Sequence, residues 1–408
     1  MVRTTSCATL AAALACVTAA PAQPVDTRVE LGSRPALLVA DLAEGELKSR
    51  LEACLDEPPR RTAFSIGHRG AGLVFPEHTL EAYEAAYRMG AGTLECDVTF
   101  TKDLALVCRH AQNDLATTTD ILLTPLASTC VKPFQPARLA ANGAVRRAAR
   151  AECRTSEITL AEFKTLRGKI DAFDPAAQTV QEFVAPRRAA RADLGEGFQY
   201  GTLLTHAESI ALFARLGVRM TPELKEASAR LPFEGVTRDE LAQKLIDEYR
   251  AAGVPPSEVF PQSFHRRDVE YWIAHEPEYG ERAVLVANAI FPPRSRRLRS
   301  YKAAGINVWA PAMAALLDLD DEGRIVPSRA ARAARAAGLE LVTWTLERSG
   351  NLAAPNNGFY YRTIDEGITR EGDVMRVVDV LARDVGVRGI FSDWPATVSF
   401  YAGCMGLP

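Results

Sequence analysis

Ala63-Phe64-Ser65-Ile66-Gly67-His68, then Thr79 to Met89, then Thr93-Leu94-Glu95-Cys96-Asp97-Val98 make up the stretch that decides the fold. The first piece is an apolar run of strand length that ends on a histidine. The second places Leu80, Tyr83 and Tyr87 at helical spacing behind a Thr79 N-cap, with Gly90 as terminator. The third is another apolar run, ending on a carboxylate pair. Strand, helix, strand with polar residues at the strand ends is the repeating unit of a parallel α/β sheet. Thr101-Lys102-Asp103 then turns the chain back into Ala105 to Cys108, an antiparallel extra strand that delivers His110.

Working outward, the same rhythm breaks between 112 and about 205 and then resumes to the C-terminus. Strands beginning near 63, 93, 218, 259, 283, 306, 339 and 387 alternate with helical patterns at 206–216, 237–252, 266–275, 295–304, 328–337 and 372–385. Eight such strands predict a TIM-like (β/α)8 barrel over 61–408. Residues 112–205, rich in Thr, Ala, Arg and Pro, read as a large insertion after the second strand and its hairpin, too poor in periodic apolar pattern for a core of its own. Residues 23–60 read as an N-terminal extension with a helix around 45–55.

The chain has 408 residues, 47% hydrophobic and 24% charged, with a formal net charge of -3. That composition suits one large core and lacks the basic stripe that nucleic-acid binding calls for. Arg3, the apolar run from Ala8 to Ala20 and the Ala20-Pro21-Ala22 site predict a signal peptide over 1–22. Export to the periplasm or the medium follows from it, with lipid anchoring at Cys16 as the minor alternative. The leader is too short to span a bilayer, and no transmembrane segment is expected. Six cysteines remain after the leader: Cys54, Cys96, Cys108, Cys130, Cys153 and Cys404. An even number in an exported chain suggests disulfides, and six allow 15 pairings. Cys130 with Cys153 would clamp the insertion and Cys54 with Cys404 would tie the termini. Cys96 and Cys108 could bridge or stay as buried thiols.

In a (β/α)8 barrel the C-terminal strand ends converge on one mouth, so His68, Glu95, Asp97, Glu223, Gln262, Trp309, Trp344 and Asp393 are expected in a single site. Side chains alternate along a strand, so Glu95 and Asp97 share a face while Cys96 points away. Paired carboxylates without cysteine at ligand spacing favour a hard cation, Ca2+ or Mg2+, with Glu223 as a third ligand. His68 and His110 are candidates for a general acid and base pair. Arg69 and Lys225 bring the positive charge that a phosphate needs. His78, His206, His265 and His275 are read as parts of helix starts or surface helices and given no chemistry. No Gly-x-Ser-x-Gly elbow of the serine esterases occurs.

Taken together, Gly67-His68-Arg69-Gly70-Ala71, Pro76-Glu77-His78-Thr79, Glu95-Cys96-Asp97-Val98, Thr101-Lys102-Asp103, His110, Pro222-Glu223-Leu224-Lys225, Gln262-Ser263-Phe264, Trp344-Thr345 and Gly389 to Pro395 strongly resemble the glycerophosphodiester phosphodiesterase family, in its exported, periplasmic-type members. The resemblance implies metal-dependent hydrolysis of a small-molecule glycerophosphodiester to glycerol 3-phosphate and an alcohol. It assigns catalysis to His68 and His110, the cation to Glu95, Asp97 and Glu223, and the substrate phosphate and its surroundings to Arg69, Lys225, Gln262 and Trp344. Ca2+ is favoured over Mg2+. Ala111 stands where the family commonly has an acidic residue, and Leu104 where it has a turn glycine. A phospholipase D or sphingomyelinase D type enzyme shares the two histidines and the Glu-x-Asp pair, but Pro76 to Thr79 and Pro222 to Lys225 favour the diesterase. A non-catalytic binding module is the remaining alternative. The headgroup and the oligomeric state have no signature in the sequence.

Overall fold

Apolar runs rich in Val, Ile and Phe form strands that are buried on both faces, as a parallel sheet covered by helices requires. In the computed structural model, which describes residues 26–185, 199–288, 293–353 and 358–408, these runs become ten strands of one sheet. They are β1 (Thr62–Gly67), β2 (Ala91–Phe100), β3 (Leu106–Cys108), β4 (Arg219–Leu224), β5 (Gln262–Ser263), β6 (Val284–Ala287), β7 (Val308–Pro311), β8 (Glu340–Leu341), β9 (Thr343–Leu346) and β10 (Ile390–Ser392). Hydrogen bonding runs β8-β7-β6-β5-β4-β2-β1-β10-β9, all parallel, with β3 antiparallel on β2. Because β8 and β9 are one length of chain interrupted only at Val342, the path returns to itself. The sheet is a nearly closed barrel of the TIM type with eight strand positions.

A ring of helices packs outside it, including His206–Leu216, Arg238–Ala251, Arg266–His275, Ser295–Ala303 and Arg329–Ala336. Thr205 and Thr237 open the first two of these with reciprocal capping boxes to Glu208 and Glu240. The main apolar core lies between barrel and helices, while Val284, Val286, Val308 and Ala310 fill part of the barrel interior. The expected leader over 1–22 lies outside the described residues.

Two expectations need correction. The insertion does have a core: Leu115, Ile121, Ile158, Phe163, Phe183 and Leu203 belong to a separate buried cluster. It is assembled from helical pieces of three to five residues and two- to four-residue strands, each too short to display a helical or strand period in the sequence. The extension holds two helices rather than one, α1 (Arg34–Asp41) and α2 (Glu46–Ala53). The buried residues of α1 are Arg34, Pro35, Leu38 and Val39, a set that starts with a charge and a proline and so shows no apolar helical repeat.

All three suggested cysteine pairs are disulfides: Cys54–Cys404, Cys96–Cys108 and Cys130–Cys153. The second is buried behind the carboxylate pair and joins β2 to β3. Leu104 sits in the hairpin turn at φ 62°, where glycine is at home and a β-carbon is crowded.

Candidate active site

Strand register sets the height of each carboxylate. In β4, Thr221 lies level with Glu95 and Glu223 with Asp97, and Glu223 is in turn level with Gln262 of β5. Three neighbouring strands therefore present acid or amide groups in one layer at the C-terminal mouth. One cavity is lined by His68, Arg69, Glu95, Asp97, His110, Glu223, Lys225, Gln262 and Trp344, together with Phe264, Val286 and Phe391. The nine residues assigned a role from the sequence thus meet in one place, Asp393 stands behind His68, and Trp309, also expected at the mouth, is instead buried in the main core.

Each carboxylate is anchored from behind. Glu95 accepts from Gln262 Nε2 at 2.8 Å and from the Arg69 backbone N–H at 2.9 Å. Asp97 Oδ2 lies 2.8 Å from His78 Nε2, and Glu223 Oε1 2.6 Å from Lys225 Nζ. Asp97 Oδ1 is buried and makes no hydrogen bond. Oxygens of Glu95, Asp97 and Glu223 lie within 4.8 Å of one another. Burial, reinforced by Asp97 and Glu223, pushes the Glu95 carboxyl well above the usual range. Burial lifts Glu223 to about 7, with Lys225 opposing. Asp97 is held well below the usual range because Lys225 and His78 outweigh its burial. Three buried acids with a spare oxygen between them fit a hard divalent cation, since without one they cannot all ionise together.

Two histidines approach this group from opposite sides of the chain order. His68 Nδ1 is 3.1 Å from both oxygens of Asp393, which directs its Nε2 toward Glu95 Oε2 at 3.9 Å. Thr345 Oγ1 and Arg348 also donate to Asp393, at 3.1 and 2.7 Å. Burial disfavours charge on Asp393, yet Arg348 and His68 overcome it and hold the carboxyl at about 2. His110 follows β3, whose end is pinned by Arg109 N–H donating to Asp97 O at 2.8 Å. Burial and the cations Arg69 and Lys225 push its imidazole well below the ordinary value. Glu77 and Asp114 offer oxygens within 4.8 Å of a ring nitrogen of His110, so acidity near it comes from Asp114 rather than from position 111.

Sequence reasoning passed over several of these groups. His78, given no chemistry, is buried with Nδ1 on Tyr83 Oη at 2.9 Å and Nε2 on Asp97. Its φ of 56° turns the chain so that the ring points inward from a helix start. Glu77 pairs with Arg69 at 2.9 Å. Both lie in Pro76-Glu77-His78-Thr79, which was the available signal. His206, read as a surface residue, is fully buried and bonded to Glu248 at 2.9 Å.

The model of the glycerophosphoryl diester phosphodiesterase family matches residues 68–397, most of the chain and every active-site group described above. The chain belongs to that family. It is an enzyme of the glycerophosphodiester phosphodiesterase class. An extracellular protein of Arthroderma benhamiae is 44% identical over 246 residues, 58% of this chain and 100% of its own length. The glycerophosphodiester phosphodiesterase of Bacillus subtilis is 44% identical over 46 residues, 11% of this chain and 16% of its own. For the fold, a crystal structure from Silicibacter pomeroyi DSS-3, assigned to glycerophosphoryl diester phosphodiesterases, has a TM-score of 0.55 at 22% identity and covers 88% of this chain and 98% of its own. Among the described residues of this phosphodiesterase, no helix is long and apolar enough to cross a membrane.

Proposed function

We propose that this phosphodiesterase hydrolyses glycerophosphodiesters to glycerol 3-phosphate and an alcohol, with Glu95, Asp97 and Glu223 holding one divalent cation and His68 and His110 moving the protons. The observation that supports it most is the meeting of three buried acids, two histidines and two cations in one cavity. A bound cation would supply charge for a phosphoryl oxygen. The oxygen-only donor set favours Ca2+, with Mg2+ as a substitute. Arg69 and Lys225 bind the phosphate and orient it, while Gln262 holds Glu95 in place.

Proton transfer falls to the imidazoles. With Asp393 accepting from Nδ1, neutral His68 presents an unprotonated Nε2 to the cavity and can take a proton there. His110 faces the same space from β3. One ring enters neutral and accepts a proton from the attacking oxygen, while the other, protonated once the anionic phosphate of the substrate offsets Arg69 and Lys225, enters as imidazolium and gives one to the leaving alkoxide, so no free oxide or hydroxide need form. Phe264 and Trp344 form a wall at the mouth, with ring centroids 5.8 Å apart, against which the alcohol moiety can rest.

Export remains part of the proposal. Three disulfides suit an oxidising compartment, and the Arthroderma benhamiae relative is called extracellular. The test is release of free glycerol 3-phosphate from glycerophosphocholine with Ca2+ or Mg2+ present. Chelation should abolish release and added cation should restore it. Activity indifferent to chelator would remove the metal from the reading. Formation of a lipid phosphate from lysolipid or sphingomyelin instead would move the enzyme to the phospholipase D type.

A further inference from the structure

The N-terminal extension reaches the active site through charge. Arg34, the first residue of α1, is only 7% exposed and lies 313 residues before its partner Glu347. Its Nε and Nη2 bind Glu347 Oε1 and Oε2 at 2.9 and 2.5 Å, a two-pronged pair. Glu347 is 2% exposed and also accepts from Thr397 Oγ1. It directly follows β9, and its φ is 72°, a region that a residue with a β-carbon enters at a cost. The next residue is Arg348, which donates to Asp393 Oδ1 at 2.7 Å, and Asp393 holds His68 Nδ1.

The same arginine touches Glu371 at 3.2 Å, and Glu371 in turn accepts from the Leu352 backbone N–H at 2.5 Å. The end of α1 is fastened nearby, with Gly372 N–H donating to Asp41 at 2.8 Å. A β-carbon at Gly372 would lie 2.6 Å from the Asp41 and Leu42 backbone, so this approach needs glycine. Cys54–Cys404 closes the other side of the extension. Arg34, Asp41 and Cys54 all lie before residue 68, where the family match begins.

We propose that Arg34 is a positioning residue for catalysis: by neutralising buried Glu347 it holds the backbone turn that aims Arg348 at Asp393, and thereby holds His68. The inference rests on the reading of His68 as a proton-transfer residue. Without Arg34, Glu347 loses the two-pronged cation that offsets its burial, and relaxation of its turn carries Arg348 off Asp393. The extension is then part of the catalytic apparatus, although none of its residues lines the cavity.

The test is steady-state hydrolysis of glycerophosphocholine by full-length variants. Arg34→Ala and Arg348→Ala should each lower kcat about 10-fold with KM little changed, because orientation rather than uniform binding is lost. Arg34→Lys should recover much of the loss, and Arg34→Ala with Arg348→Ala should be no worse than Arg348→Ala alone. In a His68→Ala background, Arg34→Ala should cost nothing further. If Arg34→Ala does not fold, Arg34→Met with Glu347→Gln removes both buried charges together and should restore folding and most of kcat, whereas a folded double variant as slow as Arg348→Ala would overturn neutralisation as the cause. Wild-type kcat in folded Arg34→Ala, or an equal further loss in the His68→Ala background, would overturn the proposal. Full activity of His68→Ala itself would instead overturn the reading of His68, and the positioning role with it.

Discussion

At the scale of single residues, the chemistry depends on which groups hold the reacting ones. His68→Ala and His110→Ala should each lower turnover on the order of 100-fold or more while circular dichroism stays unchanged. Asp393 is the test of support. Its folded carboxyl, at about 2, lies below the ordinary 3.8, so its charged form stabilises the fold. That stabilisation is complete above pH 3.8 and is lost as pH falls through 2. It is worth about 2 kcal/mol. Asp393→Asn should therefore remove about that much of the decline in stability between pH 4 and pH 2, measured by denaturant unfolding at each pH. An unchanged acid limb would exclude the Arg348–Asp393–His68 arrangement as a stabilising contact. The reacting groups were legible because residue type and strand-end position coincide for His68, Glu95, Asp97 and Glu223. Asp393 was visible as a strand-end acid, but its partner Arg348 was not, since a lone arginine after a strand has no distinguishing chemistry.

At the scale of elements, helices with periodic faces were read closely: 206–216 and 266–275 match the observed helices end for end. The short element α1 and the insertion were not, because their packing is carried by a few contacts without a repeat. The insertion's core takes in the active-site hairpin, since Val107 of β3 belongs to its buried cluster. Cys130–Cys153 closes part of that unit, with 23 residues of separation. Replacing both by serine should cost roughly 3 kcal/mol in the chain-entropy estimate. Hydrogen exchange should show the loss first in the cluster of Leu115, Ile121 and Phe163 rather than in β4 to β7. Uniform loss across the barrel would mean that the insertion is not a separate cooperative unit.

At the scale of the whole molecule, closure decides function. Cys54–Cys404 spans 350 residues and ties the extension to the last helix, Ala396–Met405. Cys54→Ser with Cys404→Ser should lower stability by roughly 3–5 kcal/mol, at the upper end for a long loop, and a thermal or denaturant midpoint equal to wild type would refute that tie. The amino-acid sequence by itself determined the strand-helix alternation, the eight strand positions and the identity of the groups at the mouth, because each of these is written in local periodicity and residue type. Only the tertiary structure decided which groups support them. Arg34, Glu347, Arg348, Asp393 and His68 are scattered from the extension to the last strand. Their connection exists because barrel closure brings β1, β9 and β10 side by side, and α1 docks over the turn where they meet. Burial then makes each charge depend on its partner, a property of distance in space that no local pattern can encode.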